Sequence, residues 1–403
     1  MSLASKAIPV RNGAILRGAN GALRDCCCGS FPIFTTGVTS AFLATGSGMR
    51  NLADNGTGFD TAWINQSGNY SAYVQYDSDN VLFSFLSGAA EPGRLRMTDL
   101  AGTTVWTRQI SEAANGSTVD GFLRGDKVIY RYIDKVTAIA NLRAVDRATG
   151  AAVQWTLALT HNAKFPFGFL GNGFYVDSNQ DTYILYAYPQ GNTALPEVGY
   201  HVRLVKVNSS GALVSDTSIY YFPTVDGVYP YTGYDLTGAV LGSYLLPVGN
   251  DFVIGAIVTV TANAPPPYPG YTKTRNVLRF TKAGAVVYDV PQNVPNSNFP
   301  GSINFQAAGN GKLYARLEDY TVQWYTAATG ALIDSMSGVL SNNRVSAMAV
   351  TEVANEIYLV GRRKAASIYD IARLNTTTKT LTWEDEILAG ATQTAIVSRP
   401  WPS

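Results

Sequence analysis

Charge, histidine and cysteine are all scarce in this chain. Asp, Glu, Lys and Arg make up 15% of its 403 residues, against about 25% in an average globular protein. The 30 basic and 29 acidic residues nearly cancel, to a formal net charge of +1. That excludes the basic footprint of a protein that binds nucleic acid or an acidic membrane. With only two histidines, His161 and His201, acid–base chemistry would rest on carboxylates. No carboxylate pair, Ser/His/Asp set or Gly-rich phosphate loop stands out. No run of about 18 apolar residues exists, so no membrane-spanning helix is expected. The opening Met-Ser-Leu-Ala-Ser-Lys-Ala-Ile-Pro-Val lacks the apolar core of about 7–15 residues that marks a secretory signal. The cysteines are three adjacent residues, Cys26, Cys27 and Cys28. They cannot pair completely within one chain, which argues against a disulfide framework.

What the chain has is tyrosine (24), glycine (38) and proline (18), a composition that favours strands joined by tight turns. A strand, a turn ending in Gly and a second strand recur through residues 60–390. The unit is Leu95-Arg-Met-Thr-Asp-Leu-Ala-Gly102-Thr-Thr-Val-Trp106, then Leu142-Arg-Ala-Val-Asp-Arg-Ala-Thr-Gly150-Ala-Ala-Val-Gln-Trp155. It returns around Gly211, Gly284 and Gly330, and in degenerate form at Thr378-Lys379 before Trp383. A second turn precedes each: Asp79-Asn80, Gly125-Asp126, Gln180-Asp181, Asn250-Asp251, Asn310-Gly311 and Asn355-Glu356. Each of these leads into an alternating apolar strand. The repeat is therefore four strands, a to d, with tight turns at a–b and c–d. Repeated four-stranded antiparallel units predict an all-β fold, a β-propeller. Six full repeats favour six blades. Seven is the alternative, with segments 31–66 and 388–403 combining into one composite blade. The expected domains are an N-terminal arm, 1–30, and a propeller, 31–403.

The segment Ala144-Val145-Asp146-Arg147-Ala148-Thr149-Gly150, ending at Trp155, resembles the blade repeat of quinoprotein-like (PQQ-type) propellers. Tyr325-Thr-Ala-Ala-Thr-Gly330 is a weaker match. The resemblance implies the fold; in that family the enzymes hold the quinone with calcium, a catalytic Asp and often a vicinal disulfide. Cys26-Cys27 precede the blades, and no acidic pair matches. Asp177-Ser-Asn179-Gln-Asp181 alternates like a calcium loop but lacks the Gly and terminal Glu of an EF-hand, and Asp and Asn also suit a tight turn.

The arm carries Asn12-Gly13 and Asn20-Gly21, which are hairpin dipeptides. About 25 residues cannot form an independent core, so the arm is expected to dock on its own propeller or a neighbouring subunit. In a strand, Cys26 and Cys28 share a side, so one chain offers two thiolates where zinc or an iron–sulfur cluster wants four ligands. Four readings stand side by side: packing as small apolar side chains, zinc or iron–sulfur ligation completed by other chains, an interchain or vicinal disulfide, and lipidation, which has no supporting signature. The leader looks like those of bacteriophage virion proteins, especially tail-tip components.

The long insertions all fall at the b–c and d–a ends, on the third and fourth repeats. They hold Tyr188 and Tyr200 at the ends of one predicted loop, Tyr229, Tyr231 and Tyr234 in the next link, and Tyr268 and Tyr271 in a Pro-rich loop. Tyrosine offers contact area with a polar tip at little entropy cost, and proline lowers the cost of ordering a loop. These seven tyrosines are the candidate ligand-binding residues. The expected function is a non-enzymatic attachment protein of a bacteriophage virion, in the tail tip or fibre region. Residues 1–30 would bind other virion proteins in a symmetric assembly, and the loops would meet a host receptor or glycan. The alternative is a bacterial surface propeller that binds glycan or protein. A quinoprotein or polysaccharide-degrading enzyme ranks third.

Overall fold

The computed structural model describes residues 41–397, except 46–47, 55, 66–68, 78, 87–91, 116–118, 138, 160–173, 191–198, 224–244, 262–271, 294–303, 318–320, 341–342, 352, 364–368 and 388–393. The described chain is a series of antiparallel strands. β1 (Ala41–Thr45), β2 (Gly48–Asp54) and β3 (Phe59–Asn65) come first. Blade 1 follows as β4 (Asn69–Tyr76), β5 (Asn80–Leu86), β6 (Arg94–Asp99) and β7 (Thr104–Gln109). Blade 2 is β8 (Asp120–Arg124), β9 (Lys127–Ile133), β10 (Ala140–Asp146) and β11 (Val153–Ala158). Blade 3 is β12 (Phe174–Val176), β13 (Thr182–Gln190), β14 (Gly199–Val207) and β15 (Leu213–Pro223). Blade 4 is β16 (Leu246–Val248), β17 (Asp251–Thr261), β18 (Thr272–Thr281) and β19 (Val286–Asn293). Blade 5 is β20 (Asn304–Gly309), β21 (Lys312–Arg316), β22 (Val322–Thr326) and β23 (Leu332–Met336). Blade 6 is β24 (Asn343–Val350), β25 (Glu356–Arg363), β26 (Tyr369–Asn375) and β27 (Thr380–Ile387), and β28 (Thr394–Val397) ends the series.

Each of the six repeats forms one four-stranded antiparallel meander, and the fold is the expected β-propeller. The leftover segments form a further sheet in the order β28-β1-β2-β3. Phe42 pairs with Val397 and Thr45 with Thr394, so the C-terminal strand supplies the first strand of an otherwise N-terminal sheet. This is the composite blade of the seven-blade count, added to the six that the repeats form.

The turns explain the repeated glycines. Gly102, Gly150, Gly211, Gly284 and Gly330, all in c–d turns, have φ between 66° and 91°, a region that Cβ disfavours. The degenerate sixth turn places Lys379 there, at φ 57°. A register shift follows the turns at Gly102, Gly211, Gly284, Gly330 and Lys379, where β7, β15, β19, β23 and β27 rejoin their partners. A turn that closes on a left-handed residue leads into such a bulge. Prolines inside strands sit where a missing N–H is tolerated. Pro247 is in the first strand of blade 4, and Pro223 and Pro291 are in the last strands of blades 3 and 4.

By internal packing the chain divides into two units. One comprises Met1–Thr137, Leu142–Gln154 and Leu340–Ser403; the other comprises Ala138–Asn141 and Trp155–Val339. The core of the first unit between blades 1 and 2 is built from Leu82, Leu95, Met97, Trp106, Ile110, Val128, Tyr130 and Val145, all buried. In the second, Phe252 packs edge-on to Tyr175 at 5.4 Å and lies 5.1 Å from Tyr183 and 6.0 Å from Phe280, centroid to centroid. Leu95 and Met97 on β6, and Val128 and Tyr130 on β9, lie two residues apart and so share a face of their strands.

Candidate functional site

The repeat residues build an interlock between blades. In blade 2, Asp146 Oδ1 accepts hydrogen bonds from the Thr149 N–H (2.9 Å) and hydroxyl (2.7 Å), which shapes the turn that ends at Gly150. Those hydrogen bonds, the Thr149 hydroxyl's first, hold the Asp146 carboxyl below its usual range. Gly150 lies against the indole of Trp106 from blade 1; a Cβ there would stand 2.6 Å from the ring. Trp106 Nε1 donates to the Arg147 carbonyl at 2.8 Å. The same arrangement recurs one blade on, where Gly211 packs on Trp155 and Trp155 Nε1 donates to the Ser209 carbonyl at 3.0 Å. Further on, Gly330 packs on Tyr288, whose hydroxyl donates to the Ala327 carbonyl at 3.1 Å. The Asp, Thr, Gly and Trp of the repeat that resembles quinoprotein-like blades are thus used in turn geometry and blade packing.

Ion pairs that sequence reading missed reinforce this end of the blades. Arg147, in the turn of blade 2, reaches Asp77 (2.7 Å) and Asn80 (2.7 Å) in the a–b turn of blade 1. Lys282 stands at the same turn position in blade 4 and reaches Asp177 of blade 3 at 3.0 Å. Arg373 of blade 6 bridges Glu356 and Asp54, and the Tyr358 hydroxyl donates to the same Asp54 carboxylate at 2.9 Å. For Arg147 and Lys282 the signal in the sequence was a basic residue directly after the turn-opening Asp146 or Thr281; Arg373, inside β26, follows no such residue.

Asp177–Asp181 is a turn. The Asp177 carboxylate accepts the N–H groups of Asn179 (2.9 Å) and Asp181 (3.1 Å) and pairs with Lys282, while Asp181 pairs with Lys206 at 2.6 Å. Both carboxylates are already matched by lysines, so the loop has no need of a cation. Lys206 and Lys282 also approach the Tyr183 ring, at 5.6 and 5.5 Å. Burial first, then the Asp177 and Asp181 charges, push the Tyr183 phenol well above its usual range. At the blade 1–2 contact, Arg143 pairs with Glu112 and donates to the Tyr132 hydroxyl at 2.8 Å. Burial acts to raise Glu112, but the Arg143 hydrogen bond and charge outweigh it, and the carboxyl titrates below its usual range. Among the described residues, no group of three or more His, Cys, Asp or Glu could hold a metal ion.

The candidate ligand residues divide. Tyr229, Tyr231, Tyr234, Tyr268 and Tyr271 lie outside the described residues, as do Cys26, Cys27 and Cys28. Tyr188 and Tyr200 do not bound a long loop as the sequence reading expects; they are strand residues. β13 continues to Gln190 and β14 begins at Gly199, with Tyr188 paired to His201 and Pro189 to Tyr200. Strand pairing satisfies backbone groups that a loop of that length would leave to side chains or water. It tolerates Pro189 because β12 has ended and β13 is an edge on that side.

This exposes a difference between blades. β12 and β16 are only 3 residues each, yet β13 and β14 have 9, β15 and β17 have 11 and β18 has 10. The outer strands of blades 3 and 4 run on past their inner strands as three-stranded ribbons. At the end of the blade 3 ribbon, Tyr188, His201 and Tyr221 are register partners in one row, and Pro189, Tyr200 and Phe222 in the next. The predicted tyrosine loops begin where these ribbons end.

No protein-family model matches the chain, and no curated protein sequence matches it. Among solved structures it is similar to BamB from Moraxella catarrhalis, at 13% identity and a TM-score of 0.45, over 87% of each chain. It is similar to apo AztD from Citrobacter koseri, at 11% identity and a TM-score of 0.49, over 91% of this chain and 100% of the other. It is also similar to a europium-containing methanol dehydrogenase, at 11% identity and a TM-score of 0.42, over 89% of this chain and 80% of that one.

Proposed function

We propose that this chain is a non-enzymatic recognition propeller that presents the ribbon ends of blades 3 and 4 to a glycan or protein at a bacterial surface. The observation that carries this reading is the extension of β13–β15 and β17–β19 past their short inner strands. It sets Tyr188, His201 and Tyr221 as register partners in one row and Pro189, Tyr200 and Phe222 in the next. Tyrosine offers contact area with a polar tip at low entropic cost. The test is binding of labelled protein to a glycan array and to bacterial cells. Tyr188→Ala, Tyr229→Ala and Tyr268→Ala are each expected to weaken binding at least tenfold with the melting temperature unchanged. Undiminished binding in all three sinks the reading, as does turnover of a polysaccharide or quinone-dependent reduction of a dye.

A narrower reading makes the chain an attachment protein of a bacteriophage tail, with residues 1–30 as its anchor to other virion proteins. The hairpin dipeptides and the Cys26–Cys28 run of that arm favour it. The cysteines would then meet their zinc, iron–sulfur or disulfide partners in other chains of a symmetric assembly. Deleting residues 1–30 is expected to abolish incorporation into particles while leaving the blades folded. Normal incorporation without the arm removes this narrower reading and leaves the broader one standing.

A further inference from the structure

The facing sides of blades 3 and 4, both within one compact unit, change character along their length. Near the core they pack dry. Tyr183 of blade 3 lies 5.1 Å from Phe252 of blade 4, Lys282 of blade 4 reaches Asp177 of blade 3, and Gly284 of blade 4 packs on Thr217 of β15. These contacts fix which side of each sheet meets the other. On blade 4 that side carries Phe252, Phe280 and Leu278, and on blade 3 Tyr183, Leu185 and Val202, all buried. The other side of blade 4 turns to blade 5. There Arg279 donates to the Ala327 carbonyl at 2.9 Å and Gln292 to the Gly330 carbonyl at 3.4 Å.

Past the short inner strands the central strands keep this alternation. The β13–β14 ladder has no register shift, and on blade 4 the extra residues of the shifts lie in β17 and β19, not in β18. Tyr200 therefore shares the side of Val202, in one row with Pro189 and Phe222. On β18, Thr272, Thr274 and Asn276 share the side of Leu278. Their rows add Thr261, Thr259 and Asn293. The opposite side of the same ribbon holds Val258, Val260, Lys273, Arg275 and Gln292. Threonine suits a strand on either face and asparagine suits neither, so strand propensity does not explain their confinement to the side that meets blade 3. Hydroxyls and amides set between two sheets are costly unless they find partners, so these rows do not continue the dry packing of the core. Asp289, in the row of Leu278, and Pro291, in the row of Asn276, are exposed, so this side is open to solvent along β19.

We propose that the ligand of the ribbon ends is a neutral saccharide held between them, against the Pro189–Tyr200–Phe222 row of blade 3 and the Thr and Asn rows of blade 4. This rests on the reading that the ribbon ends bind a ligand at all, and it names the chemistry of that ligand. A sugar ring has apolar C–H faces rimmed by hydroxyls that each donate and accept. An aromatic row suits the faces, and threonine hydroxyls and asparagine amides, which also donate and accept, suit the rim. Concave sites of this mixed kind are typical of small-ligand binding. Beyond Asp289 the rows on the facing sides hold no charged residue. An acidic glycan finds no cation there, since Lys273 and Arg275 belong to the opposite side.

A glycan array sorted into neutral and uronic- or sialic-acid-bearing oligosaccharides, probed with the labelled full chain, tests this, followed by calorimetric titration of the strongest neutral member. The wild-type chain is expected to prefer neutral members. Tyr200→Ala and Thr274→Val are each expected to weaken that binding at least tenfold, with the circular dichroism spectrum and melting temperature unchanged. Should Tyr200→Ala fail to fold, Tyr200→Leu replaces it with the same expectation. Arg275→Gln, on the opposite side of the same strand, is expected to leave the affinity unaltered. A preference for acidic members overturns the inference, and so does full affinity in both the Tyr200 and Thr274 variants. If bacterial cells bind and Tyr188→Ala weakens that binding, but no neutral oligosaccharide binds, this inference falls and the broader reading stands. Absence of binding to both array and cells removes both.

Discussion

Gly150→Ala offers the sharpest test of the interlock, because two separable costs meet at one atom. Gly150 has φ 66°, and holding an L-residue in that region costs about 1–2 kcal/mol. The new Cβ would also lie 2.6 Å from Cδ2 and 2.8 Å from Cε2 and Cε3 of Trp106. The indole cannot slide away freely, since Nε1 is held by the Arg147 carbonyl at 2.8 Å. Overpacking a filled site costs about 1–3 kcal/mol, and breaking the indole hydrogen bond about 0.5–1.5 kcal/mol. The sum is about 2.5–6.5 kcal/mol. Gly56 is the control, with φ 90° and nothing within 4 Å of its added Cβ, so Gly56→Ala should lose only the backbone cost of about 1–2 kcal/mol. Urea unfolding followed by tryptophan fluorescence reads the difference as separated midpoints with similar slopes. Trp106→Ala should cost less in the Gly150→Ala background than in wild type, because the cavity relieves the clash. Equal losses for the two glycine variants, or strict additivity of the double variant, would refute the interlock.

Other expectations follow from the same turns. Lys379→Gly should stabilise the chain by about 1 kcal/mol in thermal or urea melts, since Lys379 occupies a left-handed φ that glycine adopts freely. Arg147→Gln should destabilise by about 1–3 kcal/mol in the same melts, because it leaves the partly buried Asp77 and Asn80 without their cation. The Tyr183 phenol is raised in the folded chain by burial and by Asp177 and Asp181, and Tyr288 is pushed up to about 12, chiefly by burial. A raised acid contributes stability that is complete below its unfolded value of about 10 and is lost as pH climbs above it. Wild-type melting temperature should therefore fall from pH 10 upward, and Tyr183→Phe with Tyr288→Phe should flatten that fall; an unchanged alkaline slope would count against buried phenols as its cause.

Much of the fold is local and was legible in the sequence. A turn that needs a left-handed residue advertises itself as Gly, and alternation of apolar residues announces strands, so the six repeats and both turn series could be placed. Even the degenerate turn at Lys379 was located, because the strands around it kept their pattern. The pairing of β28 with β1 is different, since the two are separated by nearly the whole chain. The sequence could only propose that leftover segments combine, and long-range ladder bonds decide whether they do. Tyr188 and Tyr200 show the limit at short range. Tyr, Pro and Gly in one stretch read as a loop, yet pairing with β14 and β15 carries the strand through them.

The sequence by itself determined the all-β class, the repeat and the conformation of its turns, because backbone sterics and side-chain alternation act within a few residues. Only the tertiary structure decided what those residues do for one another. That Trp106 needs a glycine at 150 and that Arg147 and Lys282 reach back to the preceding blade are matters of contact across blades. Such contacts depend on distances between residues tens of positions apart, which no local pattern encodes.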